Sequence, residues 1–196
     1  MRTLSVLLML MTFFTLTLYG QKTAANLASG LEIGENCPSF GPTHLSGPNR
    51  GTKTCPMCAY GQDQGLLIWL NNDDFKGLAS LSETLESQSQ KRGLRQLRVF
   101  IMYMNPHGMP TKEVERALQD VAGKVTLKNV ALTYVPSPKD PGTSAAYRIN
   151  PSLDVRNTVM VYKKRRVIEK RTNFEPTADN LVKLIATLDG AASPNQ

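Results

Sequence analysis

A chain of 196 residues that is 41% hydrophobic and 20% charged has ordinary globular composition, which excludes a low-complexity polymer and suits one domain with an extension. Its formal net charge of +7 permits contact with acidic surfaces. The cationic residues are scattered and not interleaved with aromatics, so nucleic acid is disfavoured as a partner.

The apolar residues are concentrated at the start. Arg2 precedes an uncharged run, Leu4 to Tyr19, that closes at Gly20-Gln21-Lys22. A positive residue, an apolar stretch of this length and a small residue at the exit predict a secretory signal over residues 1–20, with the cut between 20 and 25. The run is shorter than the roughly 20 residues that span a bilayer, so no stable membrane anchor is expected once it is removed. Export implies a periplasmic or secreted protein. Residues 21–36 are small and polar and read as a flexible leader. A domain is expected over residues 37–190, beginning with a Cys-containing loop, 37–64, rich in Gly and Pro; residues 191–196 read as a frayed tail.

Regular elements begin after that loop. Residues 66–70 (LLIWL) are apolar on both faces, as in a strand inside a parallel sheet. Asp73-Asp74 opens a helix with Leu78, Leu81 and Leu85 on one stripe. A second strand covers 98–104. Thr111 is placed to cap a helix carrying Val114, Leu118 and Val121 and ending at Gly123. A third strand covers 129–135. After a Pro-rich connection, 158–162 and 167–172 form a hairpin across Lys163-Lys164-Arg165-Arg166, which reads as a solvated turn. Thr177 caps a final helix with Leu181, Leu184, Ile185 and Leu188, ending at Gly190. Strands alternating with helices predict an α/β fold with parallel pairing and an antiparallel edge.

This order resembles the thioredoxin-like fold, a central mixed sheet with flanking helices. The likeness is most specific from Ala145-Ala146-Tyr147-Arg148-Ile149 through the hairpin to the last helix. Gly34 with Pro38-Ser39-Phe40 is also similar to the entry of redoxins. The resemblance implies thiol–disulfide chemistry on protein thiols or disulfides, but two positions depart from it. Where the family carries Cys-x-x-Cys after the first central strand, this chain reads Asn71-Asn72-Asp73-Asp74. Where it carries a cis-proline before the penultimate strand, this chain has Asn157, for which a cis bond would be costly. Peroxide reduction of the usual kind has no thiol to use in that place.

All three cysteines lie in the long loop: Cys37, Cys55 and Cys58. Cys55-Pro56-Met57-Cys58 has the spacing of a redox pair, with Cys37 as a candidate third thiol. By analogy with the family, Cys55 attacks and Cys58 resolves. Three sulfurs with His44 would equally make a zinc or copper site, on a non-enzymatic module of the same fold. A plain structural bridge, worth about 3 kcal/mol if it closed a long loop, is the third reading. Placement is the most informative discriminator: contact between the Cys pair and Asn157 would revive the redox reading, and opposite ends of the sheet would nearly end it. His107, after Asn105-Pro106, reads as a loop residue, and Asp73 and Asp74 as helix caps.

Overall fold

The computed structural model describes residues 27–190, so the predicted signal with its cut and the tail lie outside the described residues. In chain order the elements are β1 (Thr43–His44), α1 (Pro56–Tyr60), β2 (Gln64–Leu70), α2 (Phe75–Arg92), β3 (Arg98–Tyr103), α3 (Thr111–Val125), β4 (Ala131–Tyr134), β5 (Asn157–Lys163), β6 (Arg166–Thr172) and α4 (Ala178–Gly190). They build one six-stranded sheet in the order β1-β4-β3-β2-β5-β6. β2, β3 and β4 run parallel. β1, β5 and β6 join antiparallel. The predicted α/β thioredoxin-like architecture is the one observed.

Side chains alternate along a strand, so a strand inside the sheet serves two cores. On one face Leu66, Ile68 and Leu70 of β2 meet the stripes of α2, α3 and α4, including Leu85, Leu118 and Leu184. On the other face Leu67 and Trp69 join Phe100, Met102, Met160 and Tyr162. The three long helices therefore flank one face only. The second face is roofed by less regular chain, through Leu31, Cys37, Phe40, Met57 and Tyr147. Phe40, Trp69 and Tyr147 pack with ring centroids 5.0–5.7 Å apart.

Several boundaries differ from the sequence reading. The described part of the expected leader from residue 29 to residue 36 is not free. Gly30 donates to Arg148 O, Gly34 to Val167 O and Cys37 to Arg165 O, and Asn36 bridges Arg166. The chain thus adds a short edge beside β6 and satisfies backbone groups there. Within the loop 37–64, β1 and α1 form where few regular elements were expected. Pro110 rather than Thr111 precedes α3, without a side-chain cap, and the helix passes Gly123 to stop at Thr126 in the left-handed region (φ 57°). An exposed helical glycine costs only about 1 kcal/mol, so it does not end the helix. β4 starts at Ala131 because the N–H groups of Asn129 and Val130 bond the buried Glu86 carboxylate instead, at 2.9–3.1 Å. Asp74 and Thr177 cap their helices as predicted, accepting from Gly77 and Asn180.

Two positions are tested by stability. An added Cβ at Gly65 would lie 2.0 Å from Arg98 O, the backbone of the paired strand. Neither strand can move without opening β2–β3, so Gly65→Ala should lower unfolding stability by about 2 kcal/mol or more in urea titrations. His44 on β1 is fully buried; its Nε2 lies 2.9 Å from Thr54 O and therefore donates, leaving Nδ1 unprotonated and without a partner. Burial lowers its pKa below the ordinary imidazole value. Between that lowered value and the ordinary one, about 6.5, the unfolded chain binds more protons than the folded one. Stability should thus be full above this window and fall as pH drops through it. Urea midpoints measured across pH should show this decline, and His44→Gln should flatten it.

Candidate functional site

The sequence Cys55-Pro56-Met57-Cys58 folds as one short helix because Pro is favoured at the first helical position and Cys55 occupies the cap. Cys55 Sγ accepts the backbone N–H of Cys58 at 3.0 Å. The same turn brings the two Cα atoms to 5.2 Å, and the sulfurs are joined in a disulfide. This ring spans a sequence separation of three, not a long loop. Its loop-closure contribution is correspondingly small, about 2 kcal/mol.

Burial is graded along the turn. Pro56 and Met57 are buried in the roof, Met57 to 1% exposure. Cys55 is half-buried against the same apolar cluster. Cys58 and Ala59 are exposed. Ser39 Oγ lies 3.3 Å from Cys58 Sγ, and with no S–H in the bridge the hydroxyl is the donor.

The far end of α1 is fastened to the sheet where β2 begins. Tyr60 stacks on Phe100 (6.1 Å), and the Arg98 guanidinium sits 4.0 Å over the Tyr60 ring. Tyr60 also donates to Asn49 Oδ1 at 3.1 Å. Gly61 follows because a Cβ there would meet Met57 O at 2.5 Å and the Arg165 side chain at 2.6 Å. Arg165 belongs to the basic turn that the sequence suggested was merely solvated. Lys164 and Arg165 both take positive φ (49° and 64°), the two-residue hairpin geometry normally given to Gly or Asn. The Arg165 carbonyl accepts from Cys37, and its Nε is buried without a hydrogen-bond partner. Nothing beyond the run of basic residues in the sequence signalled this contact.

Cys37 is 3% exposed beneath the roof, and burial pushes its thiol up to about 12, with nearby Arg165 opposing the shift. It is protonated and enclosed at neutral pH. His44 faces Thr54 O, and the Cys55 and Cys58 sulfurs face each other. The four candidate metal ligands are not gathered in this disulfide form, and among the described residues no group of three His, Cys, Asp or Glu is placed to hold an ion.

At the opposite end of β2, where Leu70 pairs with Asn157, the family's usual position is filled by amides. Asn71 Nδ2 donates to Ser152 O (2.9 Å) and Val155 O (3.1 Å), and Asn72 Nδ2 to Arg156 O (2.9 Å). Asn157 exchanges hydrogen bonds with the Phe174 backbone. No peptide bond among the described residues is cis. Six residue rises along β2, about 20 Å, separate this end from the end where α1 is fastened. In the chain the Cys pair precedes β2, whereas the family's position after that strand carries Asn71 and Asn72.

Asp73 does something the sequence did not disclose. It accepts from Tyr103 Oη at 2.5 Å and pairs with His107 Nδ1 at 2.7 Å, while Asp74 alone caps α2. The buried Tyr103 phenol is pushed well above its ordinary value by desolvation and then by Asp73. Beside this end lies a cavity of about 210 Å³ with apolar walls from Leu78, Val159 and Leu184 and polar Asn72, Arg156 and Glu175.

No family model matches the chain, and no curated protein matches it in sequence. Solved structures do. A yeast mitochondrial 1-Cys peroxiredoxin superposes with a TM-score of 0.60 at 14% identity, covering 82% of this chain and 76% of that one. Peroxidoxin BcpB from Mycobacterium tuberculosis gives 0.58 at 14%, covering 83% and 99%. A putative thiol:disulfide interchange protein DsbE from Chlorobium tepidum gives 0.55 at 13%, covering 81% and 98%. At such identities the likeness concerns architecture, and it establishes a thioredoxin-like fold for this chain.

Proposed function

We propose that the chain is a thiol–disulfide oxidoreductase of the exported compartment, working on protein thiols or disulfides through Cys55 and Cys58. One observation carries this reading: the two sulfurs are bonded across a single helical turn whose second cysteine is exposed. A small ring of this kind opens without dismantling anything else, because Met57, Phe40 and Tyr147 hold the roof by apolar contact. Among the described residues no other disulfide offers an alternative, and the remaining thiol is buried. The thioredoxin-like fold supports the reading. So does the apolar amino-terminal run, since a periplasmic or secreted protein meets the oxidising conditions in which such a pair cycles. No helix among the described residues is long and apolar enough to cross a membrane.

The expected activity is acceleration of insulin reduction by dithiothreitol, lost to the uncatalysed rate in Cys55→Ser and in Cys58→Ser. No rate above dithiothreitol alone for the unmodified protein would overturn the reading. Reduction itself should leave the fold intact and lower stability by no more than about 2 kcal/mol, measured as urea midpoints with and without reductant. Asp74→Ala, at the family's usual location, should cost about 1 kcal/mol of stability through the lost cap and leave the exchange rate unchanged.

A further inference from the structure

The family analogy assigns attack to the more amino-terminal cysteine. The geometry of α1 favours the reverse. We infer that Cys58 is the sulfur that forms the mixed disulfide with the substrate, and that Cys55 is the internal thiol that closes and reopens the ring. This inference rests on the exchange activity proposed above and assigns the roles within it.

Exchange requires nearly collinear approach of three sulfurs, so the sulfur attacked from outside must be reachable. Cys58 belongs to an exposed residue on the outward side of the turn. Cys55 is half-buried against the cluster that includes Met57 and Phe40. The leaving sulfur needs the opposite environment, one that holds a negative charge. Cys55 Sγ already accepts the Cys58 backbone N–H at 3.0 Å, a donor fixed by the helix and available to the thiolate without rearrangement. At Cys58 the corresponding donor is the rotatable Ser39 hydroxyl at 3.3 Å.

In the reducing direction, the Cys58 thiolate attacks one sulfur of a substrate disulfide. A bond forms from Cys58 Sγ to that sulfur, the substrate S–S bond breaks, and one substrate thiolate departs. The Cys55 thiolate then attacks Cys58 Sγ, forming the intramolecular bridge and releasing the second substrate thiolate. Two electrons pass from the protein dithiol to the substrate. In regeneration an external thiolate attacks Cys58 Sγ, the bridge breaks, and Cys55 leaves as the thiolate bonded to the Cys58 N–H. A second external thiolate attacks the outer sulfur of that mixed disulfide, freeing Cys58 and oxidising the donor to its own disulfide.

The test uses the full chain and glutathione. The oxidised protein is mixed with reduced glutathione, quenched with acid, and the adduct located by fragmentation of the peptide that holds both cysteines. Glutathione should be found on Cys58. In parallel, Cys55→Ser should trap glutathione disulfide as a stable adduct roughly tenfold faster than Cys58→Ser, at a pH that ionises both thiols. Adducts on Cys55, or faster trapping in Cys58→Ser, would reverse the roles while leaving the exchange activity standing. An absence of any adduct on either cysteine would remove both the assignment and the activity beneath it.

Discussion

Strand β2 is buried on both faces, and that double burial organises the molecule. Leu66, Ile68 and Leu70 take the three long helices on one side. Leu67 and Trp69 then face a second apolar layer that no long helix covers. At roughly 25 cal/mol for each Å² of apolar surface removed from water, an unroofed face of Trp69, Phe100, Met102 and Tyr162 would be strongly unfavourable. The long loop before β2 is ordered because it supplies the missing cover. Its glycines and prolines permit the turns, and Phe40 and Met57 make the contacts, joined by Leu31 from the preceding segment.

This accounts for where the cysteines stand. A roof segment has an inner and an outer side, and one helical turn divides its residues between them. Met57 points into the core, Cys55 lies at the margin and Cys58 outside. Cys37, further back on the same segment, falls wholly inside and loses its reactivity to desolvation. The same residue type in one Cys-containing loop thus yields a buried free thiol and a bridge that reaches the surface, and the turn of the chain decides which is which.

The architecture was legible in the sequence because its strands and helices repeat at their own periods: LLIWL, the Leu78-Leu81-Leu85 stripe and the last helix all appear where those patterns lie. The roof was not legible, since neither period applies to Pro-Gly-rich chain, and Tyr147 joins Leu31 and Phe40 from more than a hundred residues further along the chain. The supposed leader failed for a related reason. Small polar residues look free in sequence, yet their backbone groups complete the edge beside β6. At the site, the Cys55–Cys58 spacing announced a pair, whereas the fixed N–H on Cys55 and the Arg165 contact depend on how a hairpin and a helix meet. Asp73 with His107 and Tyr103 was hidden by the same limit: Asp73 read as a helix cap and His107 as a loop residue, and nothing in the sequence joined them to Tyr103.

The two ends of β2 are held by different means. At the Asn157 end, amide groups of Asn71 and Asn72 reach carbonyls of residues 152–156 and tie that loop to the strand. Side-chain amides can fix a loop as a rigid proline does, because each bond they make ties a loop carbonyl to the strand end, and that of the buried Val155 is satisfied in this way. They cannot replace a thiol. On the outer side of the roof the Cys55–Cys58 bridge meets solvent at its second residue while Met57 beside it remains packed.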